Sequence, residues 1–293
     1  MFNIVSKQLI ALNIKRIDIA AYSIATKVLP GQFIMITPVT GLKSIPMSVV
    51  DTDERKGAIS LIVHEVGPVT KALGDMSIGD KVVSIVGPLG RPSVIEQYGI
   101  VICVATGIGT AQILPICKAL KKKGNKVIGI IGAKSKKVLM LESQMRVVCD
   151  ELFIATNDGS YERRGLASQI LNDLLDKYKV NAVYAIGSVD MMQYATRMAK
   201  DRNIPIWVTV NPYMVNGLGI CGSCRVKVGQ AFQMACIDGP QFDGRHIDFD
   251  DLNRRDQALK ENTWEKPSLP FKQKSDGLPT LMKSFLGMGK KKT

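Results

Sequence analysis

The 293-residue sequence predicts an antiparallel β-barrel, then an α/β domain built on a parallel sheet, then a small cysteine-bearing loop domain. Three patterns predict it. Residues 1 to about 96 hold short β-like runs (IKRIDIAAYSI, GQFIMITPV, AISLIVHEV, DKVVSIVGPL) separated by Pro, Gly and Asp, the spacing of an antiparallel barrel or sandwich. From Tyr98, apolar strands alternate with amphipathic helices: GIVICVATGIG with AQILPICKALKKKG, KVIGIIGA with LESQMRVVCDE, ELFIATNDGS with LASQILNDLLDKYK, then AVYAIGS. Such alternation implies a parallel sheet with helical crossovers. From Trp207 a strand leads into a Gly- and Cys-rich loop, and the end of the chain reads as a loose basic tail. The boundaries read from these changes are 1–97, 98–208, 209–255 and 256–293.

Composition narrows the function. Apolar residues make up 46% of the chain, enough for a substantial core. No apolar run approaches the ~20 residues of a membrane span, so no membrane association is expected. The N-terminus has charges at Lys7, Lys15, Arg16 and Asp18 and lacks the pattern of a secretory signal, which predicts a cytoplasmic protein. The net charge is +13, of which six lysines and one aspartate between residues 267 and 293 supply part. With aromatics at 6% and no interleaving of basic and aromatic residues, no nucleic-acid partner is expected.

Of the six cysteines, Cys103, Cys117 and Cys149 are scattered, whereas Cys221, Cys224 and Cys236 cluster in NPYMVNGLGICGSCRVKVGQAFQMAC. Thiolates are soft donors suited to iron or zinc. Gly217, Gly219 and Gly222 allow positive φ in a loop that wraps a metal and aims backbone amides at sulfur. An iron-sulfur site is the expectation, with zinc or inert thiols as the alternatives; Asn216 is the candidate fourth ligand through its carbonyl oxygen. A second signal, Gly107-Ile108-Gly109-Thr110, follows a strand and opens a helix, where free amides and the helix dipole suit a pyrophosphate. It is not a full G-x-G-x-x-G, because Gln112 stands at the last position, and an ordinary βα turn is the alternative. Gly187-Ser188-Val189-Asp190-Met191 sits at an equivalent strand end, so the two turns would line one cleft. Ile45-Pro46-Met47-Ser48, Val66-Gly67-Pro68-Val69-Thr70 and Gly87-Pro88-Leu89-Gly90 read on their own as turn chemistry. The two histidines, His64 and His246, belong to no catalytic or metal signature, so no residue is expected to act as acid, base or nucleophile.

Taken in order, IPMSVVDTD, TGIGTAQILPICKALKKKGN, IGAKSK, LESQMR, NDGSYERRG, NPYMVNGLGICGSCRV and ACIDGPQFDGRHIDFDDLNRR resemble the ferredoxin-NADP reductase superfamily over residues 1 to about 255. The resemblance is to the branch with a C-terminal [2Fe-2S] loop. That branch contains the electron-transfer subunit of dihydroorotate dehydrogenase and, closer to this chain, the small subunit of NADH-dependent ferredoxin:NADP oxidoreductase. It implies an FAD-binding β-barrel, an NAD(P)-binding α/β domain and a small [2Fe-2S] domain. FAD would contact Ile45, Pro46, Met47, Ser48, Ile62, Val63, His64, Val69 and Thr70. NAD(P)H would contact Gly107, Ile108, Gly109, Thr110, Gly187, Asp190 and Met191, and the cluster would be held by Cys221, Cys224, Cys236 and Asn216. The implied activity is electron transfer between NAD(P)H, FAD and [2Fe-2S]. The implied partner is a larger FAD/[4Fe-4S] oxidoreductase subunit, with ferredoxin served indirectly. Alternatives are the dihydroorotate dehydrogenase electron-transfer subunit and a redox-inactive regulatory module. Three positions depart from the patterns of the superfamily: Ile45 stands where many flavin reductases have arginine, as in the transhydrogenase branch, Ser188 where proline is usual, and Asn216 where cysteine or aspartate is usual. Lys134, Ser135, Lys136 and Lys137 leave the choice between NAD and NADP open.

Overall fold

The computed structural model describes residues 2–263. Eight strands build the first module: β1 (Phe2–Ala11), β2 (Ile14–Ala20), β3 (Phe33–Thr37), β4 (Ile45–Ser48), β5 (Asp51–Asp53), β6 (Ala58–His64), β7 (Lys81–Val82) and β8 (Ser84–Leu89). They form two antiparallel sheets, β5-β6-β2-β1-β7 and β4-β3-β8. The expected barrel is thus two ladders closing on one core, which includes Ile17, Ile19, Ile34, Ile36, Ile59 and Leu61. Burial of each such side chain contributes about 1.5–3 kcal/mol. The ladder stops at β4 for a physical reason: exposed Pro46 has no N–H with which to continue the sheet outward. Two short helices, α1 (Tyr22–Ala25) and α2 (Pro68–Asp75), cover the ends of the module.

The second half follows the predicted alternation: β9 (Ile100–Thr106), α3 (Gly109–Lys122), β10 (Lys126–Ala133), α4 (Glu142–Val148), β11 (Glu151–Thr156), β12 (Arg163–Arg164), α5 (Ala167–Lys177), β13 (Ala182–Ile186), α6 (Val189–Asp201) and β14 (Ile206–Thr209). After a hairpin of β15 (Arg225–Val228) and β16 (Ala231–Met234), β17 (Gln241–Asp243) joins the sheet antiparallel beside β14. The sheet order is β12-β11-β10-β9-β13-β14-β17, with every other pairing parallel. Period-two alternation divides β9 between two cores. Ile102 and Val104 face α5 and α6, whereas Val101, Cys103 and Ala105 face α3 and α4. The β module joins both cores, through Phe33 and Met35 on one face and Ile14 and Ile62 on the other.

The cysteine loop is sewn into the same body. Cys224, Val226, Ala235 and Cys236 are buried in the α5–α6 core, and residues 1–257 pack as one unit. Helix α7 (Phe249–Thr263) follows, so the tail read from residue 256 begins inside a helix; residues 264–293 lie outside the described residues. Among the described residues no helix is long and apolar enough to cross a membrane.

Asn125, in the α3–β10 turn, pins the segment that leads from the β module into the α/β half and is only 2% exposed. Its Oδ1 accepts from the backbone N–H of Tyr98 (2.7 Å) and Gly99 (3.0 Å), and its Nδ2 donates to the carbonyls of Glu96 (2.8 Å) and Leu120 (2.9 Å). Replacing it strands the Tyr98 and Gly99 N–H groups and the Glu96 carbonyl, while the Leu120 carbonyl keeps the Asn125 backbone N–H. Asn125→Ala is expected to lower unfolding stability by about 3 kcal/mol in denaturant titration; a loss under about 0.5 kcal/mol, the scale of an ordinary surface substitution, would show the anchor to be dispensable.

Candidate functional site

The central strands β9 and β13 are neighbours, yet their following helices leave toward opposite faces, which opens a crevice at the carboxyl edge of the sheet. The two turns are locked to each other. The Ser188 N–H donates to Thr106 Oγ1 (3.4 Å), and a side chain at Gly187 would collide with that hydroxyl. A Cβ at Gly109 would lie 2.6 Å from the Ile186 carbonyl oxygen, so glycine there is a packing requirement. Gly107, by contrast, has φ +55° and only open space before it.

Between the turns lies a cleft of about 1020 Å³, the upper end of the usual range for a single small ligand. Gly107, Ile108, Gly109, Gly187, Asp190 and Met191 line it, so six of the expected nucleotide residues converge. Thr110 does not: it is buried within α3, and its hydroxyl has no partner. The β module contributes Ile14 and His64 to the opposite wall. Burial, and then the nearby Lys134 ammonium, push the His64 imidazole below its usual pKa. The expected flavin residues are more dispersed. Ile45–Ser48 run along edge strand β4, part exposed, outside the lining of this cleft. Ile62 and Val63 are at most 3% exposed, so only their backbone can meet a ligand. The Thr70 hydroxyl is committed to its own helix start, accepting from Val66 N (3.1 Å) and Gly67 N (3.0 Å) and donating to the Gly67 carbonyl (3.1 Å); Val69 is half-buried beside it.

The cysteine loop is a turn-rich wrap. Gly217, Gly219 and Gly222 all have positive φ. Its donors fall into two pairs. Cys224 Sγ and Cys236 Sγ are buried and 3.3 Å apart, and the Gly219 N–H donates to Cys236 Sγ at 3.2 Å. Cys221 Sγ, exposed, lies 3.6 Å from Asn216 Oδ1, which is held in that direction by the Leu218 N–H at 3.0 Å. The Ser223 hydroxyl (3.1 Å) and nearby backbone N–H groups pull the Cys221 thiol down to about 7. Burial, and then the neighbouring Cys224 thiol, push Cys236 up to about 11.

Among the described residues no three His, Cys, Asp or Glu side chains surround a single ion position, and a closed zinc site takes four strong ligands where this loop offers three thiols and an amide. Two pairs at the spacing x4, x2 and then a later cysteine suit a two-iron centre, in which each metal takes two protein ligands. The donor chemistry therefore fits [2Fe-2S] at three positions and is unusual at Asn216.

Two contacts that sequence reasoning missed seat this loop. A Cβ at Gly217 would lie 2.7 Å from Met35 Cγ, and Leu89 is next, so the backbone beside Asn216 rests directly on β3 and β8. Met35 in turn pairs with Pro46 of the expected flavin stretch. Gln112 and Asn211 exchange two amide hydrogen bonds of 3.0 Å, tying the first turn of α3 to the start of the loop. The only sequence signal for that pair was Gln112 at the place of the missing glycine.

A family model described as the iron-sulfur cluster binding domain of dihydroorotate dehydrogenase B matches residues 211–248. The chain is 38% identical over 252 residues to a homologue of the dihydroorotate dehydrogenase B (NAD(+)) electron transfer subunit from Thermotoga maritima, covering 86% of this chain and 89% of that protein. A solved structure of NADH-dependent reduced ferredoxin-NADP oxidoreductase, studied for flavin-based electron bifurcation, superposes with a TM-score of 0.85 at 35% identity. It covers 89% of this chain and 94% of that one. A cytochrome P450 reductase from Amycolatopsis shares the fold at a TM-score of 0.60 and 16% identity, covering 69% of this chain and 66% of that one.

Proposed function

The chain belongs to the family of the dihydroorotate dehydrogenase B electron transfer subunit, and on that premise we propose how it carries electrons: from a reduced nicotinamide nucleotide in the sheet-edge cleft, through FAD on the β module, to a [2Fe-2S] centre in the cysteine loop. The observation that carries this reading is the seating of the loop. Gly217 packs on Met35, whose strand partner is Pro46, so the cluster donors and the flavin-binding stretch share one small region of β3 and β4.

Bound flavin would supply the exchange between hydride pairs and single electrons. The protein's part is positional. The N-termini of α3 and α6 present their positive dipole ends to a pyrophosphate, with Gly107 leaving the backbone bare. β4 offers Ile45 to Ser48 along the edge of the barrel, and β6 offers the Ile62 and Val63 backbone and the His64 ring. No side chain is asked to act as general acid or base. The volume of the cleft and its two-module walls suit the reacting ends of two nucleotides. Cys221, Cys224 and Cys236 would hold the irons.

The exposed half of the cluster loop points to where the electrons leave. Ile220 is 80% exposed, and Leu218, Val215 and Ile237 are each about half exposed around Cys221. An apolar rim around a redox centre is costly in water and suits a protein partner. The partner we propose is a larger oxidoreductase subunit with FAD and [4Fe-4S] clusters, in the cytoplasm. Ile220→Lys is expected to abolish co-purification of that subunit while the isolated variant keeps its iron; an intact complex would place the partner elsewhere.

Gly107→Asp tests the nucleotide reading. Aspartate is among the few L residues that visit a positive φ, and its Cβ here meets nothing within 4 Å, so the substitution carries a carboxylate to the cleft with backbone strain as its only local cost. The expected result is a rise in Kd for NADH of at least about tenfold, or about 1.4 kcal/mol, with flavin and iron contents unchanged. Unchanged NADH binding would remove the nucleotide from this cleft.

A further inference from the structure

Resting on the iron-sulfur reading above, we infer that Asn216 is a neutral oxygen ligand to the outer iron of the centre, and that this biases the reducing electron toward the exposed face of the loop. The four donors are not equivalent. The inner pair, Cys224 and Cys236, is buried among Val226, Ala235 and the α5–α6 core. The outer pair, Cys221 and Asn216, lies on the open side beside Ile220.

The amide is not left to rotate freely. The Leu218 N–H holds Oδ1 on the side of Cys221 Sγ, which places an oxygen at the first position of the x4-x2 spacing. The position is restricted further by Gly217, whose φ of +72° and contact with Met35 fix the backbone that follows.

An amide oxygen brings no charge. The donor set therefore has one negative charge fewer than four thiolates, or than three thiolates and a carboxylate, and the deficit falls on the outer pair. Lower negative charge raises the reduction potential of such a centre, as it does when neutral imidazoles replace thiolates. It also stabilises added electron density nearest the neutral donor. Asn216 and Cys221 thus place the more reducible side where the apolar rim is open, and two buried thiolates hold the other side. The transfer is of one electron, with the flavin as donor, and no ligand bond is made or broken.

The test uses the full chain purified anaerobically, with Asn216→Asp, Asn216→Cys and Asn216→Ala variants. Midpoint potentials come from EPR-monitored titration, iron content from chemical assay, and ligand asymmetry from Mössbauer spectra of wild-type protein. Peptide mass confirms that residue 216, which precedes a glycine, is still an amide. Expected are a downward shift of the potential in Asn216→Asp and Asn216→Cys, lower iron content in Asn216→Ala, and a wild-type ferrous site with an oxygen-containing ligand set. An Asn216→Ala variant with wild-type potential, spectrum and iron would overturn the inference, as would a carboxylate at residue 216 or a ferrous site with an all-sulfur set. If wild-type protein shows no two-iron signal after reduction, the iron-sulfur reading fails first and takes this one with it; a two-iron signal with no effect of residue 216 leaves that reading standing and removes this one alone.

Discussion

The architecture depends on one close approach, the backbone at Gly217 lying against Met35 and Leu89. A cysteine loop could fold around a metal almost anywhere on a scaffold. Here it is pressed onto β3 and β8, because a glycine at positive φ removes the Cβ that would otherwise hold it away. Electron transfer between bound groups needs proximity, and with flavin at the proposed β4 site this contact would bring the cysteine loop close to it. A side chain at Gly217 would cost about 1–3 kcal/mol in backbone strain alone, before the collision with Met35.

Other contacts hold the same arrangement from further away. Arg91 N donates to the Gly239 carbonyl at 2.6 Å, Val94 N donates to Gln241 Oε1 at 3.0 Å, and β17 closes the edge of the parallel sheet, so the return from the cysteine loop is stitched to the junction of the two modules. The Gln112–Asn211 pair does the same on the outgoing side. Cleft and loop thereby share the carboxyl edge of one sheet. A shared scaffold suits a protein that keeps bound groups in register while they exchange electrons.

The α/β half was legible in the sequence because its strands are buried on both faces and read as unbroken apolar runs bounded by amphipathic helices. The β module was harder. β1 was missed because only Ile4 of its ten residues is buried and the rest give no clean alternation. α2 hid behind Gly67-Pro68, which reads as a turn but here starts a helix. β15, β16 and β17 are three or four residues long, too short to signal. At the site, cysteine spacing and turn glycines could be read because they reflect backbone demands. The direction of side chains could not. Thr110 turns into its helix and Ile62 and Val63 into cores, outcomes decided by neighbours distant in the chain. The seat of Gly217 on Met35 is likewise a contact between remote segments.

The most direct measurement is an anaerobic titration of the purified chain with NADH, following flavin absorbance and the EPR signal of the cluster in the same sample. The account predicts that the flavin bleaches and a reduced two-iron signal grows with it. A flavin that bleaches fully while the cluster stays oxidised, in protein whose cluster a strong chemical reductant does reduce, would contradict the claim that the loop on β3 places the two centres in electronic contact.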